Sequence, residues 1–243
     1  MTAQEARKEQ WNKLKDKPLS DKLKYIFTYY WPGILGAAFA IIFAVSWVAN
    51  ILLQKEVALS GWMLNSTTNS SYAGDFAQEF MDFRRINSET HSVSLTSDII
   101  LSVSEYSDSS LAIMESITVR ITTGELDFVI ADFDTYPILS AYFADLNTLL
   151  TAEQQEKWKD NFVYVEKAAL DKLKSDELDT IELPKYHLSA EGLNDPIAMG
   201  IRIPSTSPLL DAYFFPKGDV IFGIAQNVQN LENTLAFLEY ITD

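Results

Sequence analysis

The sequence predicts an α/β protein in which a single N-terminal transmembrane helix precedes an extracellular βαβ-type domain with a mainly parallel sheet. Two observations lead to this prediction. One uncharged apolar run spans residues 31–53, and beyond it short apolar segments alternate with segments of helical periodicity. Strands that alternate with helices over short links are typical of a parallel sheet covered by helices. We therefore divide the chain into residues 1–24, 25–54 and 56–243.

Residues 25–54 are predicted to form the transmembrane helix. The 23 positions from Trp31 to Leu53 contain no charged residue. At roughly 1.5 Å per residue they are long enough to cross a hydrocarbon core of ~30 Å. The run is longer than the core of a signal peptide, and no convincing small-residue cleavage site accompanies it, so we expect an uncleaved signal-anchor in the lipid bilayer.

Charge is divided unequally along the chain. Residues 1–24 have a net charge of +3 and Lys55 adds one, so the total of −15 leaves −19 for residues 56–243. Basic segments stay on the cytoplasmic side of a membrane. We therefore predict a single-pass protein of the cell membrane with a cytoplasmic N-terminus and an extracellular C-terminal domain. An acidic domain repels phosphates, so nucleic acid is not an expected partner.

Two features of the N-terminal part have alternative interpretations. Gly36, Ala40 and Ala44 lie at four-residue spacing on one helix face, which would let a second helix approach closely. Such residues are also common in membrane helices in general. Residues 4–24 form a predicted basic amphipathic helix, which is either a solvated topology signal or a helix on the anionic inner leaflet.

The first half of the extracellular part contains three predicted strands and two predicted helices. Asp108 or Ser109 can cap the second helix, and Gly124 suits the left-handed position after its end. The strands are Val57–Asn65, Ser92–Ser102 and Leu126–Ala131; one helix contains Tyr72, Phe76, Phe80 and Phe83, and the other contains Leu111, Met114, Ile117 and Ile121.

The second half continues with strands and helices. Asp134 or Thr135 is predicted to cap a third helix, with Pro137 in its first turn. Asn230 is predicted to cap the last helix. Between them we expect a helix over Thr151–Asp160, strands over Ile197–Ile203 and Val220–Ala225, and weaker strand candidates at Phe162–Val165 and Thr180–Leu183.

Three segments in this order resemble extracellular solute-binding proteins. They are GELDFVIADFDTYPILSAYFADLNTLLT (124–151), GIRIPSTSP (200–208) and GDVIFGIAQNVQNLENTLAFLEYI (218–241). The run from Trp31 to Asn65 is similar to the anchors of membrane-tethered proteins of Gram-positive bacteria that display such a domain. The resemblance implies a shortened fold of the type II periplasmic-binding-protein class, with ligand taken between two lobes.

Ligands of open parallel sheets bind beyond the carboxyl ends of the strands. The loops predicted there span residues 65–71, 104–110 and 132–136, and all three contain hydroxyl, amide or carboxylate groups. Such loops are also polar simply because they are exposed and cap helices. The candidate ligand-binding residues are Asn65, Ser66, Thr67, Tyr72, Ser109, Asp132, Asp134 and Tyr136.

Residues with catalytic spacing are not apparent in the sequence. The chain has no cysteine, its two histidines are far apart, and it contains no nucleophile elbow, P-loop or dinucleotide-binding motif. Asp132 and Asp134 could share a hard cation, but two carboxylates alone would bind it weakly. We therefore predict no enzymatic activity, no cofactor and no metal site.

Two functions agree with this pattern. The first is a membrane-tethered extracellular module that presents a small polar solute or peptide to a transporter or sensor, for example an ABC-type permease. The second is a non-catalytic interaction or scaffold subunit of a membrane protein complex. A ligand-stabilised cleft would favour the first, and a stoichiometric protein partner would favour the second.

Overall fold

A computed structural model describes residues 18–52, 54–102, 107–174 and 183–243. The chain divides into two compact units, Met1–Gln54 and Lys55–Asp243. Three sequence predictions fall partly or wholly outside the described residues. They are most of the amphipathic segment 4–24, part of the loop 104–110, and most of the weak strand Thr180–Leu183.

The first unit contains one helix, α1, over Leu19–Leu52, with Pro32 inside it. Its segment Trp31–Ala49 has a mean hydropathy of 2.0. Among the described residues this is the one helix long and apolar enough to cross a membrane, which agrees with the predicted span.

The second unit is a mixed α/β domain. Its strands are β1 (Glu56–Leu64), β2 (Thr67–Thr68), β3 (His91–Ile99), β4 (Phe128–Asp132), β5 (Phe162–Glu166), β6 (Pro196–Arg202), β7 (Tyr213–Phe214) and β8 (Val220–Ile224). Its α-helices are α2 (Ala73–Arg84), α3 (Asp108–Thr123), α4 (Leu146–Leu149), α5 (Ala152–Trp158), α6 (Lys167–Lys174), α7 (Leu209–Ala212) and α8 (Leu231–Thr242), and 3-10 helices cover Tyr136–Tyr142 and Lys159–Asn161.

Six strands form the main sheet in the order β3-β1-β4-β8-β6-β5. Strands β3, β1 and β4 pair in parallel, as predicted from the βαβ pattern. Strand β8 pairs antiparallel with both β4 and β6, and β5 pairs antiparallel with β6. Four of the six strands therefore run in one direction, and the sheet is mainly parallel with an antiparallel second half. Strands β2 and β7 form a separate antiparallel ribbon.

Strand β4 lies at the centre of the core, and all five of its residues are buried. Because successive side chains of a strand point to opposite faces, Phe128 and Ile130 join the cluster that contains α2 and α8, whereas Val129 and Ala131 join the cluster that contains α3. Phe128 stacks between Phe222 and Phe237, with centroid distances of 4.7 and 4.9 Å. Helices thus cover both faces, and the carboxyl ends of β1 and β4 meet at one edge.

Helix starts differ from the predictions in detail. The predicted caps Asp108 and Ser109 are wrong, because the Oγ atom of Ser107 accepts the hydrogen bond from the backbone N–H of Ser110, at 3.2 Å. Gly124 does end α3 in the left-handed region, at φ +74°. Thr135 precedes a 3-10 helix rather than an α-helix and makes no capping bond to it. Asn230 precedes α8 but also makes no side-chain capping bond.

Candidate functional site

The strand order reverses between β1 and β4. The chain leaves β1 towards β3 on one side and then crosses to β4 on the other side. In open α/β sheets this reversal leaves a crevice beyond the carboxyl ends of the two strands, and ligands bind there. The candidate site is therefore formed by the residues after β1, from Asn65, and by those at the end of β4, from its last residue Asp132.

Asn65 occupies this crevice with its own side chain. Its Nδ2 atom donates to the Leu101 carbonyl at 3.0 Å, to Asp132 Oδ2 at 3.1 Å and to Thr135 Oγ1 at 2.7 Å. Its Oδ1 atom accepts a hydrogen bond from the Leu101 N–H at 2.8 Å. The backbone is left-handed here, with φ +54°, a conformation that asparagine tolerates better than most residues. The Asn65 side chain therefore links the carboxyl ends of β1, β3 and β4 through hydrogen bonds.

Asp132 is 1% exposed, and its carboxylate is fully engaged with neighbouring groups. Oδ1 accepts from the backbone N–H groups of Asp134 and Thr135, at 3.1 and 2.9 Å. Oδ2 accepts from Asn65 and from the hydroxyl of Thr135, which lies at 3.0 Å. These four bonds replace the water that a buried carboxylate loses. The oxygens that we predicted could orient a solute instead hold the turn after β4.

Tyr136 is a core residue. Its side chain is completely buried, its hydroxyl donates to the Met199 carbonyl at 2.7 Å, and its ring stacks on Phe143 at 4.6 Å. Burial raises the pKa of Tyr136 well above its ordinary value. The hydroxyl lies over Gly200 and Gly223, where any larger side chain would overlap it. Tyr136 therefore packs against the sheet inside the core and does not line the crevice.

The other candidate residues are spread around this edge. The Ser66 hydroxyl is buried and donates to the Met63 carbonyl at 2.8 Å. Thr67 pairs with Phe214 in the β2–β7 ribbon. Tyr72 is 61% exposed, Ser109 contacts the Ser107 hydroxyl, and Asp134 is exposed. The structure thus brings together Asn65 and Asp132, with Thr135, which the sequence predicted only as a helix cap.

Asp127 is a second buried carboxylate that sequence reasoning missed. It lies just before β4 and is 1% exposed. It accepts hydrogen bonds from the backbone N–H groups of Ser60, Gln229 and Asn230, at 2.9, 3.2 and 3.0 Å, and from the Asn230 amide. A lone carboxylate directly before an apolar strand is the sequence signal that could have identified it.

Grooves occur elsewhere on the domain. One, of about 410 Å³, lies between α2, α5 and α8, where Arg84, Lys157 and Trp158 contribute to its walls. The Lys157 ammonium pairs with Glu239 at 2.7 Å and Arg84 pairs with Glu232. Within the described ranges there is no group of three histidine, aspartate or glutamate side chains placed to hold a metal ion.

Comparison with protein-family models, with curated proteins and with solved structures gave no match to this chain. The resemblance to solute-binding proteins therefore stays a prediction.

We expect Asn65→Gly to lower the free energy of unfolding by about 2 kcal/mol, because it removes one of the four donors to Asp132 and deprives the N–H and the carbonyl of Leu101 of their Asn65 partner. Glycine keeps the left-handed backbone, so the change isolates the side chain. Chemical denaturation of the full chain in detergent measures the effect.

The matched control is Asn69→Gly, which removes two exposed side-chain hydrogen bonds, one donated to the Asp211 carbonyl and one accepted from the Ser71 N–H. It should cost less than about 1 kcal/mol. Equal effects of the two changes would contradict a central role for Asn65.

Proposed function

We propose that this chain is a membrane-tethered, non-catalytic interaction subunit of a membrane protein complex. In this proposal α1 anchors the chain in a cell membrane, residues 1–24 are cytoplasmic, and residues 56–243 form an extracellular domain. Partners contact the surface of that domain, and the sheet supplies a rigid scaffold.

The observation that supports the proposal most directly is the occupied crevice between β1 and β4. The Asn65 amide lies at the position where a solute would meet the strand ends, and it donates to Asp132 Oδ2 and to Thr135 Oγ1. A ligand would have to displace several partly buried hydrogen bonds, and each polar group left unpaired would cost about 1–3 kcal/mol. An occupied crevice agrees better with a scaffold than with a solute receptor.

The anchor supports the same proposal. The segment Trp31–Ala49 would hold the domain at one membrane surface, where a partner in the same membrane is at high effective concentration. The row of Gly36, Ala40 and Ala44 offers a close-packing face to another helix, which remains a prediction from the sequence.

Solute presentation to a transporter or sensor is the second candidate function. Exposed polar and aromatic side chains in β2 and in the segments after β2 and β4 favour it, among them Thr67, Tyr72 and Asp134. A polar solute could contact these groups outside the Asn65 network. An ABC-type permease would then be one membrane partner.

The proposed topology predicts opposite labelling of two single-cysteine variants, which are straightforward to interpret because the chain has no cysteine of its own. In intact cells a membrane-impermeant maleimide should modify Ser189→Cys, whose position is exposed, and should modify Thr2→Cys only after permeabilisation. Labelling of Thr2→Cys alone in intact cells would reverse the topology and reject an extracellular domain.

The two candidate functions predict different results for the full chain purified in mild detergent. An interaction subunit should co-purify with a stoichiometric protein, including a second copy of itself, and should gain no thermal stability from sugars, amino acids, short peptides or cations. A monodisperse monomer whose melting temperature rises with one of these solutes would reject our proposal in favour of solute presentation.

A further inference from the structure

The two edge strands of the main sheet, β5 and β3, differ in how their outer sides are paired. At one edge, β5 is paired at its middle residue, where the Tyr164 N–H donates to the His187 carbonyl at 2.8 Å and the His187 N–H donates back at 2.9 Å. At the other edge, β3 pairs with β1 on its inner side, and no strand among the described residues lies on its outer side. The β3 edge therefore presents backbone donors and acceptors that a further strand could use.

The sequence of β3 lacks the usual protection of an exposed edge. Proteins protect such edges with lysine, proline, inward charges or bulges. Residues 92–96 are uncharged and contain no proline. The register with β1 shifts between Ser92 and Val93, where β1 has one extra residue, and again after Thr96, near Asp98 with its φ of +61°. Between these two shifts residues 93–96 pair with β1 without interruption. This uncharged part of β3 is thus open to pairing on its outer side.

The side chains of this run are self-complementary. Residues 92–96 read Ser-Val-Ser-Leu-Thr, so hydroxyl and apolar residues alternate symmetrically about Ser94. Val93 and Leu95 pack against the core on one face, so strand geometry places the three hydroxyl residues on the other. An antiparallel copy centred on Ser94 would set hydroxyl residues against hydroxyl residues and Val93 against Leu95. Pairs of these kinds stabilise neighbouring strands.

Charge restricts where two copies of this chain could meet. Residues 56–243 have a net charge of −19, so two copies repel each other over most of their surfaces. Two copies can approach closely only along a strip without carboxylates, and residues 92–96 form such a strip. A basic partner would bind best where carboxylates are present and would have no need of an uncharged edge.

From these observations we propose that β3 pairs antiparallel with β3 of a second copy of this chain, in a register centred on Ser94. The two sheets would then continue into each other across the dimer, as in strand addition at other sheet edges. This inference rests on the proposed interaction function and names one partner, which is the chain itself.

A single cysteine tests the register. Ser94 is the exposed member of the run, so Ser94→Cys should fold like the parent chain and show the same melting profile. In the proposed register the two new thiols lie directly opposite each other, within reach of a disulfide. Mild oxidation of the full chain in membranes should convert Ser94→Cys to a covalent dimer at least about tenfold more efficiently than Ser189→Cys, whose position is exposed near the β5 edge.

A charge at the same position provides the second test. Ser94→Lys would place two ammonium groups opposite each other and should convert the parent dimer to a monomer in analytical ultracentrifugation. A Ser94→Cys variant that stays uncross-linked while the parent chain remains in a stoichiometric complex would overturn this inference alone. Cross-linking of Ser94→Cys to a different protein would also overturn it. A parent chain that is monomeric and has no partner would overturn both this inference and the proposed function.

Discussion

The fold depends on how strand β4 buries a carboxylate at each of its ends. Asp127, just before β4, and Asp132, its last residue, are both 1% exposed and lie on either side of the apolar residues 128–131. Burying such a group is costly unless several donors replace its water. Asp127 meets this requirement with backbone N–H groups from β1 and from the turn before α8, and Asp132 meets it with its own turn and with Asn65. Each carboxylate therefore fixes the position of neighbouring elements as well as its own strand.

This constraint also determines what the carboxyl edge of the sheet can do. The order β3-β1-β4 creates a crevice of the kind in which α/β proteins bind ligands. Here the Asn65 amide fills it, and Tyr136 lies beneath it in the core, bonded to Met199. The arrangement favours rigidity over ligand capture. Function is then expected at the surface and the edges of the domain, where β3 is unpaired on its outer side among the described residues.

The sequence predicted the parts that depend on local pattern. Apolar runs located β1, β3, β4 and β8 within a few residues, and helical spacing located α2 and α3. It did not predict the antiparallel pairing of β8, β6 and β5, because pairing partners are chosen by tertiary contacts. The role of Asp132 could not be predicted from the sequence either. A polar loop has the same kind of sequence whether its side chains bind a solute or form hydrogen bonds with each other. The burial of Tyr136 requires Gly200 and Gly223, which are distant in sequence.

Hydrogen exchange at the ends of β3 and β4 tests the closed crevice most directly. The amides of Leu101, Asp134 and Thr135 donate to Asn65 and Asp132. If the network is permanent, these amides should be protected nearly as strongly as those within β4, and their protection should not change when polar solutes are added. Exchange as fast as that of an exposed loop, or new protection on adding one solute, would contradict the account and indicate an open binding site.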